Sequence, residues 1–417
     1  PNPRFGFFPS IAVGYVVSNE KFFEPIRDVV SMVKLKASYG LVGNDQIGGD
    51  RRFIYNETVI GGGKYYFGTT PSQYTSVRLG EFPNPNVGWE KAKKFNLGAD
   101  LSFFNQLNIS VDYFKENREG IFLQRKSIPM YVGLSTKPWV NIGKMRNSGI
   151  DASLEYHQPL GKDLHLTVRG NFTYARNRIM DQDEPDYAYT YMNHSGQMQW
   201  QKFGLVAAGL FQDQEDIDSW AKQSFGEVKP GDIKYLDLNG DGIVDNYDTK
   251  PIGYSDIPEI VYGFGFSLQW KAFDLSAFFQ GVAHVSFSTL TDQTQAFVGR
   301  NLKESSVFAD LYGNTWTPEN PGAKYPRMTT GAIDNNNQLS TFWMANGRYL
   351  RLKNLELGYT LPKRIANKIA MQSLRVYLSG VNLFTFSPFK LWDPDLQTGA
   401  TNYPNNRIIN LGLTIGF

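Results

Sequence analysis

Cysteine is absent from these 417 residues, histidine occurs only four times, and no stretch approaches eighteen consecutive apolar residues. Without cysteine there is no disulfide framework, no thiolate metal site and no cysteine nucleophile. His157, His165, His194 and His284 show no HExxH or other ligand spacing, and no GxSxG, Walker or dinucleotide motif accompanies them. The chain is therefore read as a non-enzyme. The longest comparable apolar run, GLVAAGLF at 204–211, is far too short to cross a bilayer as a helix. Charge of one sign is missing too: 42 basic against 40 acidic residues leave +2, which argues against a nucleic-acid binder.

Aromatic residues and glycine are plentiful instead, at 15% and 40 residues, a mixture suited to strands, interfacial girdles and tight turns. The chain closes on RIINLGLTIGF, in which Ile409, Leu411, Leu413, Ile415 and Phe417 alternate with Asn410, Gly412, Thr414 and Gly416. Side chains repeat every two residues in a strand, so this segment has one apolar and one wet face. Such a strand fits either the edge of a soluble sandwich or the wall of a membrane barrel, where only every second residue must be apolar.

The spacing of further strands favours the barrel. FNLGADLSFF (95–104) and LNISVDYF (107–114) flank a two-residue turn; SGIDASLEY (148–156) and LHLTVRGNFTYA (164–175) form a second pair. EIVYGFGFSLQW (259–270) alternates Ile260, Tyr262, Phe264, Phe266, Leu268 and Trp270 with small or polar residues and is followed by FDLSAFFQG. RYLRLKNLELGYTL (348–361) and SLRVYLSGVNLF (373–384) make a fourth pair. Short turns alternate with long connections at 41–90, 118–141, 178–257, 284–341 and 387–405, as in outer-membrane barrels whose long loops face outward. A dozen or more strands can be placed. The expectation is an all-β chain forming a transmembrane antiparallel β-barrel with long extracellular loops.

The most specific motif lies in one long connection, GDIKYLDLNGDGIVDNYD at 231–248. Counting from Asp237, oxygen-bearing side chains fall at positions one, three, five, nine and twelve: Asp237, Asn239, Asp241, Asp245 and Asp248. Gly242 occupies position six, where a sharp turn lets the Ile243 carbonyl join them. The pattern suits a structural Ca2+ ion, although position twelve is Asp rather than Glu and Pro230 and Pro251 stand where flanking helices would be. An Asp/Asn/Gly-rich turn that binds nothing is the alternative.

Several segments, in order, resemble one family: FFPSIAVGYVVSNEKFF, VKLKASYGLVGND, NPNVGWEKAKKFNLGADLSFF, NIGKMRNSGIDASLEY, the 231–248 motif with PIGYSDIPEIVYGFGFSLQWKAFDLSAFFQG, YLRLKNLELGYTLP and VYLSGVNLFTFSPFKLWDPD. Over essentially its whole length the chain resembles the SusC/RagA-like TonB-dependent transporters of Bacteroidota outer membranes. That resemblance implies the C-terminal portion of a plugged, 22-stranded barrel, capped by a SusD-like lipoprotein and importing oligosaccharides or peptides with energy relayed by TonB. The plug, TonB box and first strands of the family have no counterpart here, so residues 1–417 are expected to be one part of the barrel domain.

Candidate ligand contacts are loop aromatics: Tyr187, Tyr189, Tyr191 and Trp200, which could stack on sugar rings or peptide side chains, or pack against the capping partner. The alternation of the three tyrosines also reads as a strand extended above the membrane. Arg169 and Arg375 are expected to face the lumen. Two function classes stand: an outer-membrane importer embedded in lipid, and a secreted, calcium-stiffened β-rich binding or adhesion module.

Overall fold

The computed structural model describes residues 5–46, 53–134, 136–291, 294, 308–329, 331–369, 371–400 and 402–417. Among the described residues eleven strands form one sheet: β1 (Ser10–Val16), β2 (Val30–Asn44), β3 (Glu90–Phe103), β4 (Leu107–Gln124), β5 (Trp139–Pro159), β6 (Leu164–Asp181), β7 (Ile260–Trp270), β8 (Phe273–Ala283), β9 (Tyr349–Thr360), β10 (Ser373–Phe386) and β11 (Ile408–Gly416). Each pairs antiparallel with its neighbours in the chain, a pure meander with β1 and β11 at its edges.

The four short-turn pairs read from the sequence are all present, and the strands run beyond the segments that announced them. β4 continues to Gln124 and β5 begins at Trp139, so the connection expected over 118–141 shrinks to 125–138. The reason is a continuous ladder, from Leu107 opposite Tyr156 to Gln124 opposite Trp139, broken only by bulges near Glu119 and Ile121. The residues there alternate too weakly for a sequence reading to extend the strand.

Register sorts the side chains into two faces. Ala37, Leu97, Tyr113, Ile150, Tyr174 and Ile260 lie in one row across six strands. Phe266, Ala277 and Leu355 share this apolar face with the row Leu357, Leu378 and Leu411 farther along the wall. Many of these side chains are solvent-accessible in the isolated chain, with Leu411 at 78% and Leu97 at 51%. An apolar face of this extent is what a barrel presents to lipid. The opposite face carries ion pairs: Lys36 with Asp100 and Asp112, each at 2.9 Å, Arg169 with Glu155 at 2.8 Å, and Arg375 with Asp274 and Glu356. Arg169 and Arg375 thus lie on the face expected to line the lumen.

No helix among the described residues is long and apolar enough to cross a membrane. Short connections gather at one rim and the long ones, 45–89, 182–259, 284–348 and 387–407, at the other. Most of the buried apolar side chains belong to those long connections and not to the wall. Leu205, Leu210, Ile233, Tyr235, Val244, Leu311, Trp316, Tyr325 and Trp343 pack into one core, which makes the described residues of 182–259 and 284–348 a folded lobe.

Candidate functional site

The lobe is fastened by a buried polar network between its two segments. Asp232, fully buried, receives Arg327 in a two-pronged contact (Nε to Oδ1 2.8 Å, Nη2 to Oδ2 3.0 Å), the Asn336 amide at 2.9 Å and the Lys229 N–H at 2.8 Å. Asn336 Oδ1 accepts from Ile233 N–H at 2.8 Å, its carbonyl accepts from Trp343 Nε1 at 2.8 Å, and Asn335 donates to the Ile233 carbonyl at 2.8 Å. Tyr235 donates to the Asn335 carbonyl at 2.9 Å, and burial pushes its phenol well above the ordinary tyrosine value, so it remains a donor.

The lobe leans over the lumen side of the wall. Gln199 N–H donates to Asn177 Oδ1 at 2.6 Å, and Asn177 sits in register with Asn147 on the lumen face. Met198, Gln199 and Ser255 of the lobe line a cavity of about 380 Å³ together with Glu116, Arg118 and Asn147 of the wall. At the root of β7, Glu259 is gripped by Arg176 at 2.5 and 2.7 Å and by His284 Nδ1 at 3.1 Å, while Tyr254 stacks on the His284 ring at 4.6 Å. Farther along the rim, Arg351, almost fully buried, binds Asp393, Asp395 (3.2 Å) and Thr385 (3.0 Å), tying β9 to the connection 387–407.

A larger cavity, about 550 Å³, opens between the lobe and that connection. Phe342, Trp343 and Phe389 supply aromatic walls, with Asp310, Lys324 and Lys390 as charges. The Lys324 ammonium and the Tyr325 hydroxyl (2.7 Å) hold the Asp310 carboxyl below the usual carboxylate range. Apolar surface with a few converging polar groups is the common make-up of a ligand cavity. Sequence reasoning missed these residues; the aromatic clusters STFWMANGRYL and FSPFKLWDPD between strands were the available signal.

The four expected contact residues are not brought together at this cavity, and none of them lines it. Nor do the tyrosines form an extended strand, because Thr190–Met192 is a 3-10 turn. The turn folds Tyr189 onto Tyr191, rings stacked at 5.3 Å and 5°, and Tyr191 donates to the Tyr247 carbonyl at 2.7 Å, locking this segment onto the 237–248 loop. Stacking and that hydrogen bond reward the turn over continued extension. Tyr187 packs near His194, whose ring stacks on Phe203 at 3.9 Å; burial holds His194 below its ordinary pKa, keeping it neutral. Trp200 is exposed, with φ +65°.

The 237–248 loop closes through its own amides. Asp237 accepts from Gly240 and Gly242 N–H at 2.7 and 2.8 Å, Asn239 Oδ1 from Asp241 N–H at 2.9 Å, and Asp241 from Ile243 N–H at 2.8 Å. Gly240 and Gly242 adopt φ +79° and +84°, which a side chain would strain. Asp248 is buried and accepts from Leu238 and Asp245 N–H at 2.7 and 2.8 Å, and Asp245 caps the turn through Tyr247 N–H. Among the described residues no three acidic or histidine side chains converge as a metal-ligand group. The donors are the right type for calcium, and each carboxylate has about four lone-pair sites, more than these amides use.

An antiparallel meander with an apolar outer face, an ion-paired inner face and long connections at one rim defines a class: the wall of a transmembrane β-barrel, with a folded lobe above it. The chain belongs to the TonB dependent receptor-like, beta-barrel family, whose pattern matches residues 2–383, and it is an outer-membrane protein. It is 29% identical to TonB-dependent receptor P3 of Formosa agariphila over 443 residues, covering 100% of this chain and 42% of that relative. It is 26% identical to TonB-dependent receptor SusC of Bacteroides thetaiotaomicron, covering 99% of this chain and 40% of SusC. The RagAB peptide importer in the open-open state shares its fold at TM-score 0.74 and 23% identity, over 100% of this chain and 43% of that one. The chain spans less than half the length of the curated relatives it matches.

Proposed function

We propose that this chain supplies part of the wall and the outer lobe of a TonB-energised importer of oligosaccharides or peptides that works with a SusD-like surface lipoprotein. The observation that carries the reading is the lobe: long connections fold into a buried core over the lumen side of the wall and leave an aromatic, charged cavity of about 550 Å³ beside it. A secreted adhesion module has no use for the outward apolar rows. The relatives add weight, one being SusC and another a structure named a peptide importer. In this reading the remaining strands of a barrel of about 22, its plug and the TonB-binding segment lie outside residues 1–417.

The experiment is gentle extraction from native outer membranes, followed by native mass spectrometry and by uptake assays in cells lacking the gene. Stoichiometric lipoprotein, a bound glycan or peptide, and loss of uptake of that same cargo support the importer. Recovery of the barrel with neither partner nor cargo, together with unchanged uptake, overturns it.

We also propose that the 237–248 loop holds a structural Ca2+ ion through Asp237, Asn239, Asp241, the Ile243 carbonyl, Asp245 and Asp248. The spacing and the glycine turns support this, and binding requires the acidic side chains to re-aim toward a common point. Metal analysis of the purified protein should find calcium that is lost when Asp237 and Asp241 are both changed to Ala. Equal calcium in the double variant removes the proposal.

A further inference from the structure

The apolar outer face stops abruptly on four neighbouring strands. Going up β6 toward the long-loop rim, the outward residues are Leu164, Leu166, Val168, Gly170, Phe172 and Tyr174, then Arg176 and Arg178. A tilted membrane strand needs about 9–11 residues, so these arginines stand at headgroup level. The same register places Lys93 of β3, Asn117 of β4 and Arg146 of β5 in the Arg178 row, and Lys115 of β4 beside Phe95 one row below. Lys91 and Lys144 flank Glu119 in the row above.

The result is an outward patch of six cations, Lys91, Lys93, Lys115, Lys144, Arg146 and Arg178, against two carboxylates, Glu119 and Asp181. Neither carboxylate neutralises it, because Lys93–Glu119 (3.0 Å) and Lys144–Asp181 (3.8 Å) are solvent-exposed pairs. Among the described residues Lys91, Lys115 and Arg178 have no acidic partner, and Arg146 donates only to the neutral Asn117 amide at 3.1 Å. Arg176 is not available, being committed to Glu259. The patch is local: β7 and β8, next along the wall, contain no lysine or arginine.

We propose that this patch binds the phosphate groups of the glycolipid that forms the outer leaflet around the barrel. Three observations single out that occupant: the cations face lipid and not the lumen, they lie just above the hydrocarbon, and their excess positive charge complements an anionic headgroup. Arginine and lysine on adjacent strands, about 5 Å apart, can engage one phosphate from two sides. The site rests on the outer-membrane placement alone and is independent of what the barrel imports.

The test uses the full-length protein from outer membranes, stripped of lipid in detergent and titrated with bisphosphorylated lipid A or with the same lipid dephosphorylated. Native mass spectrometry reads the bound lipid. The phosphorylated form should bind at least tenfold more tightly, and this preference should vanish in the triple variant Lys115→Gln, Arg146→Gln, Arg178→Gln while persisting in Lys162→Gln at the opposite rim. Preserved gel mobility shift on boiling shows that the variant is folded. Should the triple variant not assemble, Lys115→Gln alone should weaken binding about threefold and Lys115→Arg should not. Equal binding of the two lipids, or unchanged binding in the charge-removing variants, overturns the proposal. So does an acidic protein that co-purifies through the patch without any preference for the phosphorylated lipid.

Discussion

The wall and the lobe use similar apolar side chains turned in opposite directions. In the wall, Leu97, Phe264 and Leu411 point away from the protein, and the inner face holds Lys36, Asp100 and Arg375. In the lobe, Leu205, Tyr235 and Trp343 are buried at the centre around Asp232 and Arg327. The difference is one of solvent. Lipid accepts the apolar face of the wall, whereas the lobe stands in water and must enclose its own core. The two regions should therefore fail independently and for different reasons.

The sharpest way to separate them is to cut the buried pair. Arg327→Ala leaves Asp232 charged without its main partner in a dry site, a loss of about 3–5 kcal/mol. Limited proteolysis should then release fragments from 182–259 and 284–348 while the boiling-dependent gel shift of the wall persists; intact loops would refute the independence of the lobe. Trp343→Ala should act in the same place, at about 3–5 kcal/mol, by opening a cavity in the core. On the wall, Phe266→Arg puts a charge on the lipid face near mid-strand and should cost about 2–4 kcal/mol of folding into vesicles. Arginine at Ser267, one residue away on the inner face, should cost far less, and equal penalties would contradict the assigned register.

A pH titration sharpens the comparison further. The folded-state pKa of Asp310 is lowered by Lys324 and Tyr325, so its contribution is present above the unfolded value of about 3.9 and lost as pH falls through the lower folded value. Hydrogen exchange over 309–325 should accelerate only in strong acid, and Asp310→Asn should abolish that step. The smallest effect is expected in the lumen: Arg375→Gln leaves Asp274 and Glu356 in a wet channel and should change stability by less than about 1 kcal/mol.

Much of the wall was legible in the sequence because two-residue periodicity reports directly on a sheet with two different solvents. Ile260 to Trp270 and Ile409 to Phe417 announce their faces without any tertiary information. The candidate site was far less legible. The alternation of Tyr187, Tyr189 and Tyr191 looked like a strand and folded as a turn, since ring stacking and a bond to the Tyr247 carbonyl outweigh local pattern. The cavity residues Lys324, Trp343 and Phe389 are separated by many positions and share no spacing rule.

By itself, the sequence determined nine of the eleven described wall strands and their faces, the rim that bears the long loops and the oxygen-rich dodecad at 237–248, because each of these is written in neighbouring residues. Only the tertiary structure decided that two long connections share a core, that Asp232 meets Arg327, and that Lys115, Arg146 and Arg178 on three strands form one outward patch. Those outcomes depend on register and on contacts between distant segments, which residue spacing along the chain does not encode.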